Sequence, residues 1–456
     1  MDLSPLPRPC RQEGFDSRRN RGGRREDAKG GLQMSYRFRL ISRSGDGFGL
    51  AHILQREGHE VTAWLKDPRG KNLYKGLLPR VKNWRDDLTS DTVLVFDMSG
   101  MGKEADEMRA KGYRVIGGSE LADSMELDRA FGLAVADNHG IALPEYEEFT
   151  DFDAAVEYLQ DKDTGFVFKP DDNKPGVRTF VSTSPDQMIA MLAHYKELGG
   201  GKFSFVLQQV VEGVEISSEL WCIDGEIVPH SFNNTLEQKR FLNNEWGPMT
   251  GCAWSAMKFG LSPRLYDETF KKLIPWLRQV KYCGPLDLNC IIDSTGTPYM
   301  LEWTPRFGYS AFYAAIEGLE EPLGEFLWWM AGHEMPEFSP SRDWLGSLRI
   351  TIPPYPHVED APDDEGIPII GMDLDDDHTV PLDVQLVDDK LSCSGFDGII
   401  CELTGRHPDL SVLCADILDR ATEIQIPEKQ FRTDFEETTA RKLIELSDLG
   451  YLDGGD

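Results

Sequence analysis

Residues 286–308 read LDLNCIIDSTGTPYMLEWTPRFG. The turn signal Ser294-Thr295-Gly296 lies between two apolar runs and predicts a hairpin, Leu286 to Asp293 followed by Pro298 to Trp303. Side chains two apart in a strand share a face. Asp287 and Asn289 therefore stand together on the first strand, and Glu302 and Thr304 at the end of the second. Four oxygen-bearing side chains can converge there. Magnesium wants oxygen ligands and usually shares them with substrate phosphates, so the hairpin is a candidate metal–nucleotide platform, set against the plainer alternative of an exposed polar face.

Upstream, the apolar run Phe166-Val167-Phe168-Lys169-Pro170 predicts a strand that ends on a lysine. A lysine there can neutralise phosphate, and the segment Asp171 to Gly176 that follows reads as a flexible loop carrying Lys174. A second strand, Phe203 to Val211, runs into Gln208-Gln209-Val210-Val211-Glu212-Gly213-Val214-Glu215. That crossover brings amides, free backbone and a carboxylate together, a set that suits an adenine edge and ribose hydroxyls.

The chain before this region alternates strand and helix: Phe38 to Ser42, Phe48 to Glu57, Glu60 to Leu65, Val93 to Asp97, Glu104 to Lys111 and Arg114 to Ile116. This pattern predicts a mostly parallel α/β sheet. The turn Ser44-Gly45-Asp46-Gly47 offers backbone N–H groups at a helix start, but its spacing is not the dinucleotide fingerprint, and no P-loop motif occurs. One helical stretch is expected over Met125 to His139, strands at Glu219 to Ile223 and Glu226 to His230, a looser stretch, and a helix near Asp267 to Val280. Short strands and a helix near Leu410 to Arg420 predict a smaller β-rich end. The fold class expected is thus α/β and α+β multidomain. Its divisions are a disordered basic extension over 1–33, an N-terminal parallel α/β domain over 34–119, a central nucleotide-binding domain over 120–340, a small C-terminal β-rich domain over 341–440 and a tail over 441–456.

Composition narrows the function. With 48 Lys plus Arg against 78 Asp plus Glu, a formal charge of −30 would repel a nucleic-acid backbone. No apolar run is long enough for a membrane helix. The eight cysteines contain no C-x-x-C pair, which argues against a disulfide framework or a zinc ribbon and favours a reducing cytoplasm. Gly332-His333-Glu334 begins like a zinc-protease helix, but Glu337 stands where the second histidine would be. Asp373 to Asp377 reads as a solvated acidic loop. Residues 1–33 lack both apolar periodicity and a signal-peptide core, and Met34 is a candidate start.

The order of these features resembles the ATP-grasp superfamily, and within it the phosphoribosylamine–glycine ligase (glycinamide ribonucleotide synthetase) family, over roughly residues 35 to 440. Supporting stretches are Gly117-Gly118-Ser119, Asp128-Arg129-Ala130-Phe131, Gln238-Lys239-Arg240, Arg306-Phe307-Gly308 and Phe431-Arg432-x-Asp434. The resemblance implies a central ATP-grasp domain, with ATP and magnesium as cofactors and manganese an admissible substitute. It implies that Arg129 and Lys169 contact phosphate, that Lys174 lies in the loop over the phosphates, and that Gln208 and the backbone of Gln209 and Val211 meet adenine. Glu215 would take the ribose hydroxyls and Glu302 the metal, with Asn289 or Asp287 completing its shell. Thr304 stands where the family has Asn, and Gly308-Tyr309-Ser310-Ala311 where it has Gly-Asp-Pro-Glu.

Chemistry follows from the same resemblance: ATP phosphorylates a carboxylate, and an amine attacks the acylphosphate to give an amide. Glycine and 5-phosphoribosylamine would be the partners, as in purine biosynthesis. Arg306 would stabilise the transferring group, and Lys239 and Arg240 are candidates for a substrate phosphate or carboxylate. The departures at Thr304 and Tyr309 keep two alternatives open, a ligase for a different amino acid or metabolite and a noncatalytic nucleotide-binding protein.

Overall fold

The structure, a computed structural model, describes residues 34–171, 177–199, 204–357 and 364–452. The extension 1–33 and the loop residue Lys174 lie outside the described residues. Contacts gather Tyr36–Asp456 into one unit, while Met1–Ser35, of which only Met34 and Ser35 are described, form another.

Four parallel strands, β1 (Arg37–Ser42), β2 (Glu60–Leu65), β3 (Thr92–Phe96) and β4 (Arg114–Ile116), form the first sheet in the order β2-β1-β3-β4. The turn after β1 depends on Gly45, whose φ of 91° favours glycine, and leads into helix Phe48–Arg56. That helix buries Phe48, Leu50, Ala51 and Leu54.

The helix expected over Met125 to His139 is two helices, Glu120–Leu127 and Arg129–Asn138. Between them Asp128 adopts extended backbone and accepts a hydrogen bond from the Phe131 N–H, which starts the second helix afresh. The break places Arg129 in a first turn.

Next comes a small antiparallel sheet of β5 (Tyr146–Phe149), β6 (Phe166–Pro170), β7 (Phe180–Val181) and β8 (Phe205–Gln209), ordered β5-β8-β6-β7. It has its own core, in which Phe152, Phe166, Phe168, Leu192 and Phe205 are buried.

The largest sheet is nine-stranded and contains β9 (Gly213–Ile223), β10 (Glu226–Ile227), β11 (Asn233–Leu242), β12 (Trp246–Phe259), β13 (Gly284–Asp293), β14 (Pro298–Thr304), β15 (Trp344–Thr351) and β16 (Thr379–Pro381). A hairpin of β17 (Val384–Val387) and β18 (Lys390–Cys393) precedes the ninth strand, β19 (Ile399–His407). The order is β14-β13-β9-β11-β12-β15-β19-β16, with β10 on β9. Three expectations change here. The looser stretch after His230 contains β11 and β12; the boundary drawn at 340 falls inside this continuous sheet, since β12 pairs with β15; and the expected tail from 441 lies partly in helix Phe435–Asp448, which buries Leu446. The acidic loop Asp373 to Asp377 is tied down by Arg56, whose guanidinium donates to Asp375 and Asp376 carbonyls and to the Asp377 carboxylate.

Candidate functional site

A cleft of about 790 Å³ opens between the β5–β8 sheet and the β9–β14 end of the large sheet. Lys169, Gln208, Gln209, Val211 and Glu215 line it from β6, β8 and the crossover into β9. From the predicted hairpin come Asp287, Asn289, Glu302 and Thr304, with Arg306 just beyond. Lys239 and Arg240 join from β11, and Asp46 from the glycine turn of the first sheet. Arg129 lines an adjoining recess of about 190 Å³ that shares Lys169, Gln208 and Glu302 with the cleft.

Strand pairing explains the hairpin's convergence. Asp287 stands opposite Thr304 and Asn289 opposite Glu302, while on its other side β13 sets Asp287 against Glu219 and Asn289 against Ser217. Glu302 is open to the cleft, its side chain 44% exposed. Asp287 is buried and accepts a hydrogen bond from the Ser217 hydroxyl; burial first, then nearby Glu237, pushes its carboxyl well above the ordinary range. Asn289 is buried with its Oδ1 lacking a hydrogen-bond partner among the described residues. An orphaned buried acceptor beside a carboxylate is a costly arrangement that a bound cation would relieve.

Lys169 Nζ donates to Gln208 Oε1 at 2.5 Å and to the Leu301 carbonyl at 2.8 Å. Burial pushes its ammonium down to about 8, opposed by Glu302 and reinforced by Arg129 and Lys239. The Gln208 amide oxygen is therefore engaged by Lys169. Among main-chain groups, the Gln209 N–H donates to Glu145 O at 2.8 Å, whereas Val211 has no main-chain partner among the described residues.

Lys239 departs most from expectation, because the protein's own carboxylates surround it. Its Nζ lies 2.8 Å from Glu215, 3.6 Å from Glu237 and 3.8 Å from Glu302. Burial opposes the charge, yet these three carboxylates outweigh it and hold the ammonium well above the usual lysine range. Arg240 donates to Gly247 O at 2.9 Å. Arg306 is held by Glu126 at 3.0 Å and by Phe307 O at 3.0 Å. For Glu302, partial desolvation at the cleft wall raises the pKa but Lys239, Lys169, Arg129 and Arg306 bring it below the ordinary value.

Asn233, Thr235, Glu237 and Arg349 are cleft residues with no sequence signal of their own. Asn233, Thr235, Glu237 and Lys239 alternate along β11 and all face the cleft. Where the register shifts between Gln238 and Arg240, the consecutive residues Lys239 and Arg240 both line it. Arg349 enters from β15, paired to Glu402 at 2.7 Å. Tyr309 lines the wall with its hydroxyl buried and without a hydrogen-bond partner among the described residues, close to Gly47, where a Cβ would lie 2.8 Å from that hydroxyl and 2.6 Å from Asp97 Oδ2. Asp97 is itself buried, which pushes its carboxyl up to about 7.

Residues 127–311 match the family model described as phosphoribosylglycinamide synthetase, ATP-grasp (A) domain. The phosphoribosylamine–glycine ligase of Salmonella typhimurium is 28% identical over 233 residues, 46% of this chain and 53% of that protein. The ligase of the same name from Ralstonia nicotianae is 23% identical over 348 residues, 74% of this chain and 81% of that one. In the first of these matches the chain spans about half the length of its relative. Among solved structures, phosphoribosylamine–glycine ligase from Thermotoga maritima superposes with a TM-score of 0.68 at 18% identity, covering 87% of this chain and 99% of that one. The biotin carboxylase domain of 2-oxoglutarate carboxylase from Hydrogenobacter thermophilus, in complex with MgADP, gives 0.63 at 11% identity, covering 93% and 100%. These two likenesses are of fold.

Proposed function

We propose that the chain, whose residues 127–311 match the phosphoribosylglycinamide synthetase ATP-grasp model, is an ATP-dependent carboxylate–amine ligase that joins glycine to 5-phosphoribosylamine. The observation that carries this reading is the meeting of phosphate-type cations and cation-type oxygens in one cleft. Arg129, Lys169 and Arg306 line the cleft and its recess and lower the pKa of Glu302, which keeps it a carboxylate, and Asn289 Oδ1 stands orphaned across the ladder from it.

The chemistry needs no protein nucleophile. A glycine carboxylate oxygen attacks the γ-phosphorus of ATP and ADP leaves; the amine nitrogen then attacks the acyl carbon, inorganic phosphate departs and the nitrogen loses a proton. Catalysis in such a transfer is mostly positioning and charge neutralisation. Lys169, fixed by Gln208 and Leu301 O, and Arg306, fixed by Glu126, are pre-aimed cations for the phosphoryl oxygens. Glu302 and Asn289, with Thr304 and Asp287 beside them, suit magnesium or manganese, which when bound would neutralise phosphate charge. Glu215 would take the sugar hydroxyls, and Val211 would offer main chain to adenine. Lys239 acts as a positioning residue, since its charge is already spent on Glu215, Glu237 and Glu302. Arg349 is likewise paired, to buried Glu402, which leaves Arg240 as the cation for a substrate anion. The proposed setting is the cytoplasm; among the described residues no helix is long and apolar enough to cross a membrane.

Hydroxylamine tests the first half-reaction. With ATP, magnesium and glycine, the account expects ADP and glycine hydroxamate in equal amounts; ADP release without hydroxamate would contradict an acylphosphate. A second reading, a ligase for another carboxylate or amine, is favoured by the unpartnered Tyr309 hydroxyl in the cleft wall. It expects hydroxamate from a different amino acid and none from glycine.

A further inference from the structure

Away from the cleft, three side chains from distant parts of the chain converge at the surface: Asp224 in the β9–β10 turn, Cys283 just before β13, and His333 after helix Leu323–Ala331. None lines the cleft. His333 Nδ1 lies 3.0 Å from Asp224 Oδ1 and 3.7 Å from Cys283 Sγ, and Sγ lies 3.6 Å from the same carboxylate oxygen.

Two ordinary explanations can be weighed by this geometry. In a thiol–imidazole–carboxylate relay, the sulfur and the carboxylate engage opposite ring nitrogens, because one takes the proton while the other orients the ring. Here both approach Nδ1, so the imidazole cannot relay between them. A simple Asp–His ion pair accounts for the 3.0 Å contact but gives no reason for the sulfur to be equidistant from both partners. A shared central ion does. Metal–sulfur bonds of about 2.3 Å and metal–nitrogen or –oxygen bonds of about 2.05 Å at tetrahedral angles place sulfur about 3.6 Å from the other donors, and nitrogen and oxygen about 3.3 Å apart. The three observed separations match this triangle to within a few tenths of an ångström.

We propose that Asp224, Cys283 and His333 form a binding site for a zinc-type divalent cation, with a fourth position open to solvent. The donor set selects the metal: a thiolate and an imidazole favour zinc over magnesium or calcium, which take oxygen. The Asp224 N–H already donates to Cys283 Sγ at 3.1 Å, the kind of outer hydrogen bond that steadies a thiolate ligand. Burial keeps the metal-free thiol protonated, so binding releases its proton to solvent. Since the ligands come from three separate segments, the ion would pin the β9–β10 turn to the end of helix Leu323–Ala331.

Cobalt(II) chloride is the probe, added to the full-length protein without nucleotide while the near-ultraviolet thiolate-to-cobalt charge-transfer band is followed. Oxygen-only sites such as that around Glu302 give no such band. Saturation at one cobalt per chain, loss of the band in Cys283→Ser, and weakening by about tenfold or more in Asp224→Asn and His333→Ala are expected. Zinc should also raise the thermal midpoint of the wild type, and that of His333→Ala by less. No band in the wild type, or a band undiminished in Cys283→Ser, overturns the site. If Cys283→Ser fails to fold, folded His333→Ala with wild-type cobalt affinity overturns it equally.

Discussion

Lys239 shows how context assigns a residue its work. In sequence it is a lone cation beside Arg240, fit for a substrate anion; in the fold it is the counter-charge for Glu215, Glu237 and Glu302. Removing one member of a buried charge cluster strands the others. Lys239→Met should therefore lower stability by about 3 kcal/mol in urea denaturation, as well as weakening ATP binding through displaced Glu215. A variant of wild-type stability would show that the cluster is solvated. Lys169 gives a pH prediction. Its pKa is lowered to about 8, so the free enzyme carries this charge below about pH 8 and loses it above. The basic limb of kcat/KM, which reports free-enzyme groups, should lie near there and move to higher pH in Lys169→Arg, since arginine stays protonated. An unmoved limb would assign it to another group.

At the level of elements, the parallel sheet, the Phe166–Pro170 strand and the β13–β14 hairpin were legible because each alternates or runs apolar between clear turn signals. β11 was not, for a physical reason: its cleft-facing residues Asn233, Thr235, Glu237 and Lys239 are polar, and on the opposite, buried face only Leu236 is apolar, between Asn234 and Gln238, so the apolar half of the expected alternation is missing. Arg349 was hidden for a different reason, since its cleft position follows from β15 pairing with β12 some ninety residues away in the chain. The metal triad was hidden likewise, its ligands sharing no local spacing. Helix Arg129–Asn138 makes a prediction at this scale. Asp128→Ala removes its N-cap and should cost about 1 kcal/mol while raising the KM for ATP, because Arg129 sits in the loosened turn. A loss of stability with unchanged KM would separate Arg129 from the phosphates.

Across the whole molecule, the continuous large sheet makes the cleft and the C-terminal strands one structure. Trp254 on β12 stacks on Phe435 at 4.3 Å between ring centroids, and β15 covers the β12 edge. A chain ending at residue 340 would expose that long edge and should aggregate rather than bind nucleotide; light scattering and ATP titration would read both. A chain beginning at Met34 should instead unfold at the midpoint of the full protein, because Tyr36–Asp456 forms its own unit. The chain carries a charge of −30, whereas the cleft sets cations such as Lys169, Arg240 and Arg306 among its carboxylates, which is why the site rather than the surface carries the functional argument. The most direct measurement is to incubate the purified protein with magnesium, ATP, glycine and freshly generated 5-phosphoribosylamine, following ADP and the mass of any product. The account predicts glycinamide ribonucleotide in step with ADP, abolished in Glu302→Ala that remains folded; no amide product, or full turnover in that variant, would contradict it.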